Sequence, residues 1–148
     1  MDPVKFVALD KDDLEVVSAH LQDALLKPAD IRWRPLEKRL VIGLSRFDWE
    51  AALVQNHEYR RRSAVLRFDR VLACQTLQVD RSGKNSVLNL LAVTFDQRDP
   101  PAGIVTLTFS GGGALRLEVE CLEAEIVDLG LAWATAACPD HSKVANEG

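Results

Sequence analysis

Two stretches of alternating apolar and polar residues lie between Ile104 and Cys121, and they are joined by Ser110 and three consecutive glycines. Alternation with a period of two is typical of a strand that buries one face, and glycine accepts the positive φ of a tight turn. The apolar positions are Val105, Leu107 and Phe109 in the first stretch and Leu115, Leu117, Val119 and Cys121 in the second. The segment therefore predicts a hairpin of a half-buried antiparallel sheet.

The length and composition predict a single soluble domain. The chain has 148 residues, of which 47% are hydrophobic and 27% are charged. We expect one globular domain over residues 1–138 and a flexible polar tail over residues 139–148. No apolar run approaches the ~20 residues that cross a bilayer, so we expect no membrane contact. The N-terminus lacks the basic and apolar regions of a secretory signal, which predicts a cytoplasmic location.

One amphipathic helix stands out near the N-terminus. Apolar residues recur at helical spacing over Asp12–Leu26, Asp10 is suited to cap the helix, and Pro28 is expected to end it. After Pro28 the period changes to two. Besides the hairpin, we predict strands over Phe6–Leu9, Ile31–Arg34, Arg39–Leu44, Ser63–Phe68, Val71–Val79 and Val87–Phe95.

The predicted fold class is α+β. We expect one N-terminal helix packed on a twisted antiparallel sheet, or on a partial barrel, of six to eight strands; a pleckstrin-homology-like scaffold is one form of it. Val87–Phe95 is apolar on both faces, which predicts a central strand covered on both sides. Asp128–Gly130 predicts a turn, and Leu131–Ala137 a helical turn after it.

The net charge of −4 hides an uneven distribution along the chain. Residues 31–98 contain 13 basic and 7 acidic residues, whereas residues 99–148 contain 2 basic and 8 acidic residues. This asymmetry has two explanations: an anion-binding face, or basic and acidic strands that are neighbours in the folded sheet. The second explanation requires no ligand.

Five arginines lie within eleven residues and form the candidate anion site. They are Arg60, Arg61, Arg62, Arg67 and Arg70. On a strand, Arg60 and Arg62 point to one face and Arg61 to the other, so the five form one surface only if the strand twists or bulges. A solvated or ion-paired strand is the favoured interpretation. RNA or another anion is the alternative.

A second candidate surface is the segment Arg46, Phe47, Asp48 and Trp49 at the end of a predicted strand. Large aromatic side chains beside charges are typical of protein contacts. The same residues also suit the cap of a core, because Trp33 and Trp133 are available to pack against Trp49. We favour the core-capping interpretation and keep the segment as a candidate protein contact.

The chain contains no recognisable catalytic, metal or cofactor motif. His20 and Asp23 are spaced to meet on the helix, but a site needs further partners, and the other histidines are His57 and His141. Three cysteines match neither a disulfide framework nor a zinc pattern. We interpret Cys74 and Cys121 as small buried residues and predict no catalytic residues, no metal and no cofactor.

Four segments resemble an uncharacterised alphaproteobacterial family that is classed only as a domain of unknown function. They are 20–24, 46–50, 61–71 and 105–124. The resemblance implies a bacterial cytoplasmic protein and carries no assigned activity, cofactor or site residue. From the residues themselves, we predict a noncatalytic module that binds a protein partner or a second copy of itself. The alternative is binding of RNA or another anion through Arg60–Arg70.

Overall fold

A computed structural model describes residues 5–48, 60–79 and 86–134, and the side chains of residues 5–48, 60–79 and 86–130. Secondary structure begins with a short strand, continues with a helix and then consists of strands, with short 3-10 turns at Pro28–Asp30, Pro35–Glu37 and Ser110–Gly112. The elements are β1 (Lys5–Ala8), α1 (Lys11–Leu21), β2 (Ala24–Leu26), β3 (Ile31–Arg34), β4 (Arg39–Phe47), β5 (Arg60–Phe68), β6 (Val71–Leu77), β7 (Leu88–Gln97), β8 (Gly103–Phe109), β9 (Ala114–Val119) and β10 (Ala124–Ala134).

The strands form one antiparallel sheet in the order β1-β10-β5-β4-β2-β7-β8-β9-β6, with β3 pairing to β4 beside β2. The sheet does not close into a barrel. One helix packed on a largely antiparallel sheet confirms the predicted α+β class. The described residues contain ten strands, however, where six to eight were expected. The two strands that the sequence did not predict are β2 and β10.

The helix is shorter than predicted. Asp10 caps it by accepting a 2.8 Å hydrogen bond from the backbone N–H of Asp13, as expected. The helix then ends at Leu21 rather than at Leu26, because Asp23 adopts a positive φ of 65°. The backbone N–H of Asp23 donates to the carbonyl of Leu90 at 2.8 Å. The next three residues form β2 between β4 and β7, so sheet pairing replaces the last helical turn.

The end of the described chain is also extended where a turn and a helical turn were predicted. Asp128 still pairs with Ala64 of β5, and the pairing resumes at Ala132 after a shift in register. Gly130, with a φ of 83°, lies within this bulge. The turn-forming residues therefore produce a β-bulge, and β10 continues to Ala134.

The core lies between α1 and the inner face of the curved sheet. Leu14, Val17 and Leu21 of the helix join the buried residues of the strands in one cluster. β7 lies between β2 and β8, as a central strand should, but Leu91 on its other face is 37% exposed. The prediction that this strand is covered on both sides is therefore wrong, because the helix covers one face.

The predicted hairpin is confirmed. Val105 pairs with Leu117 and Leu107 with Leu115, and the connecting turn places Gly111 at a φ of 84°. Cys74 and Cys121 are half-buried rather than buried. None of the described helices is long or apolar enough to span a membrane. Trp49, His57, residues 135–137 and the predicted tail lie outside the described residues.

Candidate functional site

The side chains of two arginines lie on the inner, core-facing side of the sheet. Arg46 follows Leu40, Ile42 and Leu44 on the buried face of β4, and only 1% of its surface is exposed. Its Nε and one terminal nitrogen each donate to a different carboxylate oxygen of Asp128, both at 2.8 Å. This paired geometry matches the planar guanidinium to the planar carboxylate and fixes both groups.

A second buried pair lies beside the first. Arg62 of β5 stands directly opposite Arg46 in the β4–β5 ladder, and its Nε donates to Asp48 at 2.6 Å. Like charges opposite each other destabilise a sheet unless they are compensated. Asp48 and Asp128 supply that compensation. We refer to Arg46, Arg62, Asp48 and Asp128 as the buried charge cluster, which carries two positive and two negative charges.

The segment offered as a protein contact is thus largely internal. Arg46 and Asp48 belong to the buried charge cluster, and Phe47 has no exposed surface. The core-capping interpretation fits these three residues, because a side chain in an ion pair beneath the surface cannot contact a partner. Trp49 lies outside the described residues, and the other three side chains are buried.

The five arginines of the candidate anion site do not share one face. Arg62 is buried on the inner face, whereas Arg61 and Arg67 belong to the outer face. Arg60 is half-buried at the start of β5, and Arg70 is exposed in the turn before β6. Strand alternation separates these side chains, as the sequence indicated.

The outer-face members of this set are engaged within the protein. Arg61 donates to the backbone carbonyls of Asp23 and Ser45, both at 3.4 Å, and burial lowers its pKa while the charge of Asp23 opposes that effect. Arg67 lies 3.0 Å from Asp69 and 3.5 Å from Glu125. The positive charges of this segment are largely compensated locally.

The charge asymmetry of the sequence is explained by strand neighbours. Basic residues of 31–98 pair with acidic residues of 99–148 in Arg46–Asp128, Arg67–Glu125 and Lys38–Glu120. β5 and β10 are adjacent in the sheet, which brings Arg67 and Glu125 together, whereas Arg46 of β4 reaches Asp128 of β10 across β5. The explanation by neighbouring strands is therefore confirmed for Arg67–Glu125, and the other two pairs also form within the protein.

A groove lies on the outer face of the sheet, and its first part is lined by arginines. This arginine section has a volume of about 460 Å³ and combines three cations with two carboxylates and an apolar floor. Its lining residues are Arg32, Arg34 and Arg39, Asp30 and Glu37, and Val41, Gly43 and Val65. Side chains from β3, β4 and β5 meet here because Arg32 pairs with Val41 and Gly43 with Val65.

The three arginines differ in how strongly they are held. Arg39 donates from Nε to Asp69 at 2.7 Å, and this hydrogen bond together with the charge of Asp69 raises the pKa of Arg39. Arg34 lies 3.8 Å from Glu37 in a pair whose side chains are both 53% exposed. Arg32 is exposed and makes no ion pair within the described part of the chain. The section thus holds one cation fixed by a short hydrogen bond, one in a long, exposed ion pair and one, Arg32, with no ion pair among the described residues.

The groove continues into an apolar section across Asp30 and Gly43, which line both parts. This second section has a volume of about 450 Å³. Small side chains, namely Gly43, Ser45 and Ser63, form its floor, and Leu25, Val87 and Leu129 stand around it. The groove exists because the central outer positions of β4 and β5 carry little side-chain volume.

Sequence reasoning missed this groove, although two signals were present. Arg32 and Arg34 have the i, i+2 spacing that places them on one face of a strand, and Arg39 follows the turn after it. Gly43 interrupts a predicted strand, which marks a place where another group approaches the backbone. In residues 5–48, 60–79 and 86–134, no three His, Cys, Asp or Glu side chains group as metal ligands.

The family model described as "Protein of unknown function (DUF2948)" matches residues 4–141. The chain belongs to this family. The matched range contains all four segments on which the resemblance to a domain of unknown function rests. No curated protein and no solved structure matches this DUF2948 member, so the pleckstrin-homology-like form of its sheet stays a prediction.

Proposed function

We propose that this DUF2948 protein is a noncatalytic interaction module that binds an acidic segment of a partner protein in its outer groove. The single observation that carries the proposal is the convergence of Arg32, Arg34 and Arg39 around an apolar floor. The family resemblance supports a bacterial protein and a cytoplasmic address. Binding, rather than chemistry, is proposed because arginine side chains recognise carboxylates but do not exchange protons near neutral pH.

The charge of the groove favours an acidic ligand. Three arginines face two carboxylates in the arginine section, in a protein whose overall charge is −4. A guanidinium presents its N–H donors in a plane that matches a carboxylate in two-point contact. Val41 and Val65 add apolar surface between the charges. A polypeptide with aspartate or glutamate side chains meets both features.

The test measures binding of a fluorescein-labelled oligoglutamate peptide to purified protein by fluorescence anisotropy. Arg32→Glu reverses one exposed charge in the groove, and Arg98→Glu reverses one exposed charge outside it, so both variants have the same net charge. Losing a charge-assisted hydrogen bond costs about 1.5–3 kcal/mol, so we expect Arg32→Glu to weaken binding at least about 10-fold. Arg98→Glu should bind like the wild type.

The same assay tests the alternative function. Equal weakening by Arg32→Glu and Arg98→Glu would reduce the binding to general electrostatic attraction and overturn the proposed site. A fluorescein-labelled oligouridylate that binds more tightly than oligoglutamate, and that loses affinity in Arg70→Glu, would instead support RNA binding through the Arg60–Arg70 segment. Its affinity should then fall steeply with added salt.

A further inference from the structure

We propose that the bound acidic segment also carries an apolar side chain, which enters the apolar section of the groove after the chain crosses Gly43. This inference rests on the proposed function, because it assigns the second half of the same groove. The ligand class is therefore an extended acidic segment with one large apolar residue on the far side of its carboxylates.

The arginine section and the apolar section form one continuous groove. Asp30 and Gly43 line both sections, so one extended ligand can occupy both. Arg39, Val41, Gly43 and Ser45 are alternate outer-face residues of β4, and the six steps from Arg39 to Ser45 span about 20 Å at ~3.3 Å per step. An extended peptide covers that distance with about six residues, which places its apolar side chain four to six positions from its carboxylates.

Two large apolar side chains that line the apolar section are exposed to solvent. Leu129 is 56% exposed and Val87 is 55% exposed, although both are large and apolar. Leu129 owes its position to the bulge in β10, where the register shifts after Asp128. Bulges often redirect a side chain toward a functional surface. Exposed apolar side chains grouped around a groove are a feature of protein-binding surfaces.

Gly43 lies at the junction of the two sections. Its φ is not positive, and a Cβ built there would lie 3.9 Å from the Cβ of Asp30, which is an ordinary contact. Backbone conformation and packing among the described residues therefore do not require glycine in this strand. Glycine inside a strand leaves room for a close approach by another group. Here the room lies where the two sections join.

The experiment compares two labelled peptides of equal charge by anisotropy: the oligoglutamate peptide, and the same peptide with a leucine five positions after its last glutamate. We expect the leucine to tighten binding roughly 5- to 10-fold, as partial burial of one leucine allows. Leu129→Ser, which lies outside the arginine section, should remove that gain and leave oligoglutamate binding unchanged. Gly43→Val, at the junction of the two sections, should also remove the gain from the leucine. Gly43→Val is expected to fold, because valine favours strands, and its thermal melting curve checks this.

The outcomes separate this inference from the proposed function. If the leucine adds nothing while Arg32→Glu still weakens binding, the apolar inference is overturned and the proposed function stands. If neither peptide binds, both are overturned. If sedimentation shows a dimer and Gly43→Val dissociates it, the groove binds a second copy of the chain. If decanoate displaces the labelled peptide as effectively as the unlabelled leucine peptide does, the groove binds fatty acids. Either result would overturn the inference.

Discussion

Replacing Asp128 with asparagine tests the buried charge cluster, because it removes one negative charge while keeping the size of the side chain. Asp128 accepts two hydrogen bonds of 2.8 Å from Arg46, and the exposed side-chain fractions of this pair are 0% and 1%. Asparagine offers one acceptor oxygen and turns an NH2 group toward the guanidinium. Arg46 is then left as a buried cation beside Arg62, its neighbour across the ladder.

Breaking a buried ion pair costs about 3–5 kcal/mol, a large part of the ~5–15 kcal/mol that stabilises a domain. With a urea slope of about 2 kcal/mol/M, a loss of about 4 kcal/mol lowers the unfolding midpoint by roughly 2 M. The matched control is Glu120→Gln, which breaks the Lys38–Glu120 contact of 2.6 Å between exposed side chains. An exposed pair contributes little to stability, so the midpoint of this control should move far less than that of Asp128→Asn.

The assay is urea unfolding followed by circular dichroism. A double variant, Arg46→Met with Asp128→Leu, removes the pair without leaving a charge unpaired, and it should recover most of the loss. If Asp128→Asn moves the midpoint no further than Glu120→Gln, the pair contributes no more than a surface contact and the reasoning fails. If the double variant costs more than Asp128→Asn, the penalty does not come from an uncompensated charge.

Two further predictions use urea unfolding, and a third uses NMR titration. Gly103→Ala should lower the free energy of unfolding by about 1–3 kcal/mol, because its Cβ would lie 2.6 Å from the carbonyl oxygen of Asp96. Gly43→Ala should leave the free energy of unfolding unchanged or raise it by up to about 1 kcal/mol. Equal urea midpoints for the two variants would contradict this prediction. Asp10→Ala should cost about 1 kcal/mol through loss of the helix cap, and an unchanged midpoint would refute the cap. The hydrogen bond from Lys38, and next the charge of Lys38, lower the pKa of Glu120 below its ordinary value of 4.5. The contact therefore stabilises the fold above pH 4.5, and this stabilisation is lost as the pH falls through the lower pKa of the folded protein. An NMR titration should show that Lys38→Met raises the pKa of Glu120.

Local patterns determined how much of the fold could be predicted. The hairpin around Gly111 and the cap at Asp10 depend on neighbouring residues, and both were predicted correctly. β2 could not be predicted, because Ala24–Leu26 extends the apolar spacing of the helix and becomes a strand by pairing with β4 and β7. β10 was not predicted, because a glycine such as Gly130 is equally typical of a turn and of a β-bulge. Its pairing with β5 identifies the bulge.

The candidate site was harder to predict than the fold. The sequence shows that Arg60–Arg62 is positively charged, but it does not show which of the three side chains is buried. Burial depends on the register of β5 against β4 and β10. The groove is formed by small residues on adjacent strands, namely Gly43, Ser45 and Ser63, that are far apart in sequence. These residues become neighbours only when the strands pair in the sheet, so no local sequence motif predicts the groove.

β4 and β5 thus use opposite faces for different purposes. Arg46 and Arg62 face inward and are neutralised by aspartates, while Arg39 faces the groove. Because adjacent residues of a strand point to opposite faces, changes on one face leave the other largely unaffected. We therefore expect Arg32→Glu to change oligoglutamate binding with less than about 0.5 kcal/mol effect on unfolding, as for an ordinary surface substitution. A large loss of stability would mean that β3 contributes to the fold through that arginine, and the groove would then be a structural feature rather than a binding site.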